Sequence, residues 1–489
     1  MIIKTNQDEI ATYLKDASNF QGRAKILFIP ENSFELREAI VLCNSKKTPV
    51  TIYGAGTGLT GAVCPLGGAI ISMERMKKIK IDKKQKYAIC EPGVTLNELQ
   101  QELAAYGLFY PPNPTETNSS IGGNAATNAS GSRTLKYGAT RDFIISAEII
   151  LINGDKLKLE RGIDKANGIE LELIADSGIS YSFSIPDIFI PDLKHNAGYF
   201  LKSDMDAIDL FIGSEGTLGV FSEIVLRLTD LPESVFSGLV FFENDKEMLD
   251  FVEKTKKNII NNKKLDYKDN SDFCPRLLEY FDGRSLIYLR NSSKEMPEKA
   301  NSAIWFEQEY TSSNENVILE SFSQLVYEHT LLADKTIMAN DNKSIEKLRT
   351  LRHELPLAVN ERLVRENLRK FGTDTAVTDE NFREYFFCVK DLIAETGLDY
   401  YIFGHIGNNH IHSNLFAKSE NDKLIAQEYY NKCIKKALEL GGTVSAEHGI
   451  GKIKKEFLLQ MYGKEIIEKM KEIKSVFDPD FLLGRGNLF

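Results

Sequence analysis

Helical periodicity marks several stretches of the chain. Leu36, Ile40, Val41 and Asn44 fall at helical spacing within residues 33–46, with Asn32 or Ser33 placed to cap the first turn. Thr95-x-x-Glu98 is a capping box, and Leu96, Leu99 and Leu103 supply one apolar face for a helix ending near Gly107. A later helix starts at Asp379, carries Phe382, Phe386, Val389 and Ile393 on one side, and stops at Gly397. Residues 344–354 predict another, which Pro356 should end. Shorter apolar runs at 49–53, 144–152, 220–228 and 399–404 predict strands, and Asn153-Gly154 a hairpin turn into 156–160. Residues 254–272 and 291–302 are polar and aperiodic, and predict exposed connections.

Three turns between these elements are built from small residues. The first, Gly54-Ala-Gly-Thr-Gly-Leu-Thr-Gly61, contains the literal spacing of a dinucleotide fingerprint at Gly56, Gly58 and Gly61. That fingerprint must open a helix, and Val63-Cys-Pro-Leu-Gly-Gly68 disfavours one. A tight turn with N–H groups facing a phosphate fits better. The second, residues 119–132, follows a rigid Pro111-Pro-Asn-Pro114 entry and cannot build a core of its own. Its glycines permit close backbone approach and its Asn, Ser and Thr side chains are short polar arms, as a phosphate cradle requires. The third is Phe211-Ile-Gly-Ser-Glu-Gly-Thr-Leu-Gly219. Three such turns in one half of the chain point to one shared ligand, in a first domain ending near Leu231-Pro232.

The 489 residues suffice for two or three domains, at 42% hydrophobic and 27% charged. A net charge of −10 argues against a broad nucleic-acid or anionic-membrane surface. Six cysteines without a C-x-x-C read as reduced thiols in a cytoplasmic protein, and no apolar run approaches the roughly 20 residues of a membrane span.

Candidate chemistry lies in the second half. Residues 403–414, FGHIGNNHIHSN, hold three of the seven histidines, and Gly407-Asn-Asn409 is a turn that folds His405 back towards His412. Imidazoles with a carboxylate form a standard metal set, and a histidine-rich hairpin without metal is the alternative reading of this segment alone. In GGTVSAEHGIGK, 441–452, adjacent Glu447 and His448 point in different directions, so one can join a metal while the other faces a substrate. Arg352, by itself, reads as an ordinary helix-surface arginine.

Together, GAGTGLTGA (54–62), YPPNPTETNSSIGGNAATNASG (110–131), KYGATRD (136–142), FIGSEGTLGVFSE (211–223), FGHIGNNHIHSN (403–414), SAEHGIGKIKKEF (445–457) and the terminal FDPDFLLGRGNLF resemble a known family. It is the FAD-linked oxidoreductases of the vanillyl-alcohol-oxidase type, in the D-lactate, glycolate and D-2-hydroxyglutarate dehydrogenase branch. The resemblance implies an α+β protein. A PCMH-type FAD-binding domain of two α+β subdomains would span 1–231, and an α+β substrate-binding cap with an antiparallel sheet 232–420. A helical C-terminal segment, 421–489, would return to the flavin.

The resemblance also assigns residues. Gly54, Ala55, Gly56, Thr57, Gly58, Leu59 and Thr60 would cradle the FAD pyrophosphate with Ser119, Ile121, Gly122, Gly123, Asn124, Thr127, Asn128, Ser130 and Gly131. Glu215, Gly216, Gly219 and Ile224 would lie along the cofactor, and Pro112 and Asn487 join the cofactor-binding set. His405, His412 and Glu447 match two histidines and a glutamate that hold a divalent ion: zinc, manganese or iron. His448 matches the general base, Arg352 the anchor of the substrate carboxylate, and Asn414 a polar contact near the substrate. The implied reaction oxidises a D-2-hydroxy acid to the 2-oxo acid. Electrons would pass from FAD to a separate acceptor: a quinone, an electron-transfer flavoprotein, a cytochrome, an iron–sulfur subunit or oxygen.

The chain departs from the family at three places. Asn408, Asn409 and His410 replace Asp, Gly and Asn of the usual G-H-x-G-D-G-N-L-H, which removes a carboxylate that orients an imidazole. His410 then either adds a ligand or fills space. Arg349 stands where an aromatic is common, and Gly484-Arg-Gly486 replaces Asn-Pro-Gly. Two other readings stay open: alkylglycerone-phosphate-synthase-like or aryl-alcohol-oxidising chemistry, and a non-catalytic electron-transfer subunit, against which the retained Glu447-His448 counts.

Overall fold

The computed structural model describes residues 1–262, 265–290 and 296–489, and at His353 the backbone alone. The chain divides into two compact units, one of residues 1–131, 138–231 and 445–489, the other of residues 132–137 and 232–444. Both mix helices with sheets that are largely antiparallel, an α+β architecture.

Two sheets organise the first unit. In one, Ile2–Lys4, Ile26–Ile29, Ala69–Ser72 and Val50–Tyr53 lie side by side, the last three parallel. The other is antiparallel throughout, in the order Ile79–Asp82, Tyr87–Cys90, Val220–Arg227, Ile144–Ile150, Lys156–Glu160. Helix Ser33–Ser45, capped by Asn32, buries Leu36, Ala39, Ile40 and Cys43. That face follows the i, i+3, i+4, i+7 rule from Leu36 and leaves Val41, an expected face residue, exposed. The Thr95–Glu98 capping box forms, and its helix Leu96–Ala104 buries Leu96, Leu99 and Leu103. The small-residue stretch after Pro114 is not all loop, because Ser120 caps a short helix, Ile121–Ala126.

A seven-stranded antiparallel sheet forms the second unit. Its order is Ile337–Ala339, Ser234–Phe242, Ser302–Tyr310, Leu277–Asp282, Asp399–Gly404, His412–Ala417, Arg369–Gly372. Strand alternation sends Phe236, Val240, Leu278, Tyr280, Ile304 and Phe306 to one face. Helices Asp245–Asn262, Glu315–His329, Asp379–Glu395 and Glu420–Glu439 pack there. Leu239, Leu277, Phe281, Ala303 and Trp305 face the other side, against Gly283–Leu289 and Asn342–Glu366.

Two expectations need correction. The polar stretch from 254 begins inside helix Asp245–Asn262, whose Met248, Leu249, Phe251, Val252 and Thr255 are buried. Of the predicted connections, 263–264 and 291–295 lie outside the described residues. Helix Asn342–Glu366 also runs through Pro356. Proline costs it one backbone hydrogen bond, but Ile345, Leu348, Leu355 and Val359 on either side are buried and hold the helix down. Among the described residues no helix is long and apolar enough to cross a membrane.

Candidate functional site

In the first unit, strand Val50–Tyr53 delivers the chain into the turn of Gly54, Ala55, Gly56, Thr57, Gly58, Leu59 and Thr60. Gly56 sits at φ +71°, where a side chain would be strained, and a Cβ on Gly54 would stand 2.4 Å from Ser120 Oγ. The backbone N–H groups of residues 55–60 donate to no acceptor among the described residues, whereas that of Gly61 donates to Asp16. Tyr53, Gly56 and Thr57 line a cleft of about 350 Å³ with Asp16 and Glu116.

The second turn uses its polar atoms differently. The N–H groups of Ile121, Gly122 and Gly123 are taken by Val94 O, Pro92 O and Ser120 Oγ. The glycines there serve close packing: a Cβ on Gly122 would meet Pro92 Cβ at 2.5 Å, and one on Gly131 would meet Asn113 O at 2.1 Å. Thr127 Oγ1 donates to Gly123 O, and Asn128 Oδ1 accepts from Arg141 N. Buried Ser119 Oγ, Asn124 Nδ2 and Ser130 Oγ have no hydrogen-bond partner among the described residues. A buried polar atom left so is costly unless a ligand satisfies it. Pro112 is buried in the entry to this turn.

Glu215 and the C-terminal segment close the cradle within the same unit. Glu215, at φ +55°, accepts from Ile450 N at 2.6 Å and Gly451 N at 2.7 Å, and burial raises its carboxyl pKa despite those bonds. Asn487 Nδ2 donates to Ala62 O and Glu215 O, and its Oδ1 accepts from Lys452 Nζ. Burial pulls Lys452 down to about 8. Gly216 is at φ +68° with open space around it, Gly219 packs on Ile149, and Ile224 is fully buried in its strand. Glu447 pairs with Lys194 at 3.0 Å, Asn196 holds the Glu447 carbonyl, and Thr60 Oγ1 donates to the carbonyl of His448.

The second unit carries the charged chemistry on the sheet face under helix Asn342–Glu366. Arg352, 6% exposed, donates through Nε to Glu279 Oε2 at 2.9 Å, and its Nη1 has no partner among the described residues. Glu279 Oε1 meets His405 Nδ1 at 2.5 Å. One buried carboxylate thus joins the arginine to a histidine. Burial works to raise the Glu279 pKa, but the charges of His405 and Arg352 hold it at about 2. Beside it, Arg276 and Arg349 pair with Glu307, whose carboxyl is likewise held at about 2 against burial.

Strands Asp399–Gly404 and His412–Ala417 pair so that Phe403 faces His412, and the turn between them has Asn409 at φ +55°. His405, His410 and His412 therefore cluster, with ring centres 4.3 to 5.7 Å apart. One ring nitrogen from each lies within 4.8 Å of one from each of the others. Asn414, buried, donates to the His412 carbonyl. Glu279 and Asp374, which lies beside His410, were missed in the sequence. The available signal for Glu279 was a carboxylate in the middle of the otherwise apolar run Leu277–Phe281.

Residues 24–160 match the family described as FAD binding domain, and residues 232–488 the family described as FAD linked oxidases, C-terminal domain. The chain is 28% identical to glycolate oxidase subunit GlcD of Bacillus subtilis (strain 168), covering 98% of this chain and 92% of that protein. It is 29% identical to a D-lactate dehydrogenase of Anaerostipes hadrus, over 98% of this chain and 91% of the relative. Its fold matches that of p-cresol methylhydroxylase with substrate bound at a TM-score of 0.70, with 14% identity, over 99% of this chain and 93% of the other.

Proposed function

The chain belongs to the FAD-linked oxidases, and from that premise we propose that it oxidises a D-2-hydroxy acid to the 2-oxo acid with the help of a divalent cation. FAD is the cofactor, and the first unit's residues fit it. Buried Ser119, Asn124 and Ser130 offer atoms that no group among the described residues satisfies, and the glycines around them leave no room for a Cβ. The N–H groups of residues 55–60 supply donors for a phosphate.

The observation that carries the substrate reading is the Arg352–Glu279–His405 chain of contacts. A 2-hydroxy acid presents a carboxylate beside a hydroxyl. Arg352 Nη1, buried and without a partner among the described residues, suits the carboxylate. The imidazoles of His405 and His412 suit a cation beside it, and Glu279 ties both functions to one strand. Glu447, matched by the resemblance to the same ion, is kept in the proposal on that ground alone.

When bound, the flavin would supply a hydride acceptor, and a cation held by His405 and His412 would supply a Lewis acid for the hydroxyl oxygen. His448 removes the hydroxyl proton at a ring nitrogen, work suited to imidazole near neutral pH. Arg352 fixes the carboxylate so that Cα–H keeps one orientation, and Asn414 adds a polar contact. Electrons then leave for a separate acceptor. Dye-coupled turnover with paired D- and L-2-hydroxy acids tests the reading. One or a few D-acids should turn over and their L-partners should not. Turnover of L-acids alone, or of none, would contradict it.

A further inference from the structure

Three histidines cluster where the resemblance calls for two. His410 is fully buried, and its ring centre lies 4.3 Å from that of His412 and 5.6 Å from that of His405. Oxygens surround the cluster. His405 Nδ1 faces Glu279 Oε1 at 2.5 Å, His410 Nε2 faces Asp374 Oδ1 at 3.1 Å, and His412 Nδ1 faces the Thr373 carbonyl at 3.1 Å. At His405 and His412 that oxygen is a hydrogen-bond partner, the arrangement that fixes tautomer and orientation in metal-bound histidines, while Asp374 lies beside His410 without hydrogen-bond alignment.

We propose that His410 is a third imidazole ligand of the cation, with Asp374 as its positioning residue. The inference rests on the metal-assisted reading above. The ligand atoms of His405 and His412 are then their Nε2 nitrogens. Three imidazole nitrogens gathered within 4.8 Å of one another are close enough to be donors to one ion. The carboxylate lost at Asn408 is replaced in kind by Asp374, which lies beyond strand Arg369–Gly372 and beside a different histidine. Three nitrogen donors favour a borderline ion such as Zn²⁺ over Mg²⁺ or Ca²⁺.

The test uses the full-length, FAD-loaded protein, stripped with a chelator and titrated with Zn²⁺ against a chromophoric competitor. X-ray absorption then counts the imidazoles around the bound zinc. Wild type should bind one Zn²⁺ through three imidazoles. His410→Asn should lower the count to two and weaken binding by about 100-fold or more, and Asp374→Asn should keep three and weaken it by roughly 10-fold. Circular dichroism and flavin content check that each variant folds. Two imidazoles in wild type, with unchanged affinity in His410→Asn, would leave the metal reading standing and overturn the third ligand. Absence of stoichiometric zinc in wild type would overturn both. If His410→Asn does not fold, the wild-type imidazole count decides alone.

Discussion

The glycine-rich turns of the first unit and the charged sheet face of the second work with opposite materials. The first offers backbone N–H groups, glycines and neutral hydroxyl and amide side chains around residues 54–60 and 119–131. The second buries charged groups: Arg276 on Glu307, which half-buried Arg349 also meets, and Arg352 on Glu279, which also meets His405. On the proposed reading the difference follows from the tasks. A large cofactor is held by many modest contacts that exclude bulk. A small anion and a cation are held by few strong ones, and buried charges survive only when paired. Each unit also has its own reporter, since the single tryptophan, Trp305, sits in the second unit's sheet and the flavin belongs to the first.

The largest effect expected is from His448→Asn. Reduction of the flavin by substrate should slow about a thousandfold, the usual worth of a general base, with flavin content and Trp305 emission unchanged. Unchanged reduction kinetics would remove His448 as the base. Next comes Arg352→Met, which should cost about 3 kcal/mol, roughly 100-fold in kcat/KM, while FAD stays bound. Flavin loss in that variant would break the division of labour. Gly54→Ala should do the reverse. Its Cβ would press on Ser120 Oγ, and a strain of about 1–3 kcal/mol predicts roughly tenfold weaker FAD retention with Trp305 undisturbed.

The smallest effect concerns acid. Glu307 is held at about 2 in the folded chain against an ordinary 4.5. A lowered carboxyl pKa stabilises the fold fully above the ordinary value, and that contribution disappears as pH falls towards 2. Trp305 emission should therefore report loss of the second unit's structure over this range. Glu307→Gln should show a shallower pH dependence there. Identical acid transitions in the two proteins would show that the carboxylate contributes nothing.

The same contrast explains what the sequence reveals. Cradle residues announce themselves by composition, because glycines and short polar residues crowd into one contiguous stretch. The Thr95 capping box and the helix Asp379–Glu395 are equally local, and their residues signal them directly. The charged face is assembled across distance: Arg352 finds Glu279 73 residues away, and His405 finds it 126 residues away. Arg352 alone therefore looks like a surface arginine, and Glu279 looks like nothing. Pro356 misleads for a related reason, since the packing that carries helix Asn342–Glu366 past it comes from Leu348 and Leu355 in the second unit's core. The helix within 119–131 escapes notice because its residues, Ile-Gly-Gly-Asn-Ala-Ala, have poor propensity and depend on the Ser120 cap.

One measurement bears most directly on the proposed reaction: the flavin absorption of the purified protein under anaerobic conditions, titrated with D- and L-2-hydroxy acids before and after chelation. Bleaching by a D-acid, lost on chelation and restored by a divalent metal, is the predicted result. A flavin that no 2-hydroxy acid reduces, with metal present, would contradict the account.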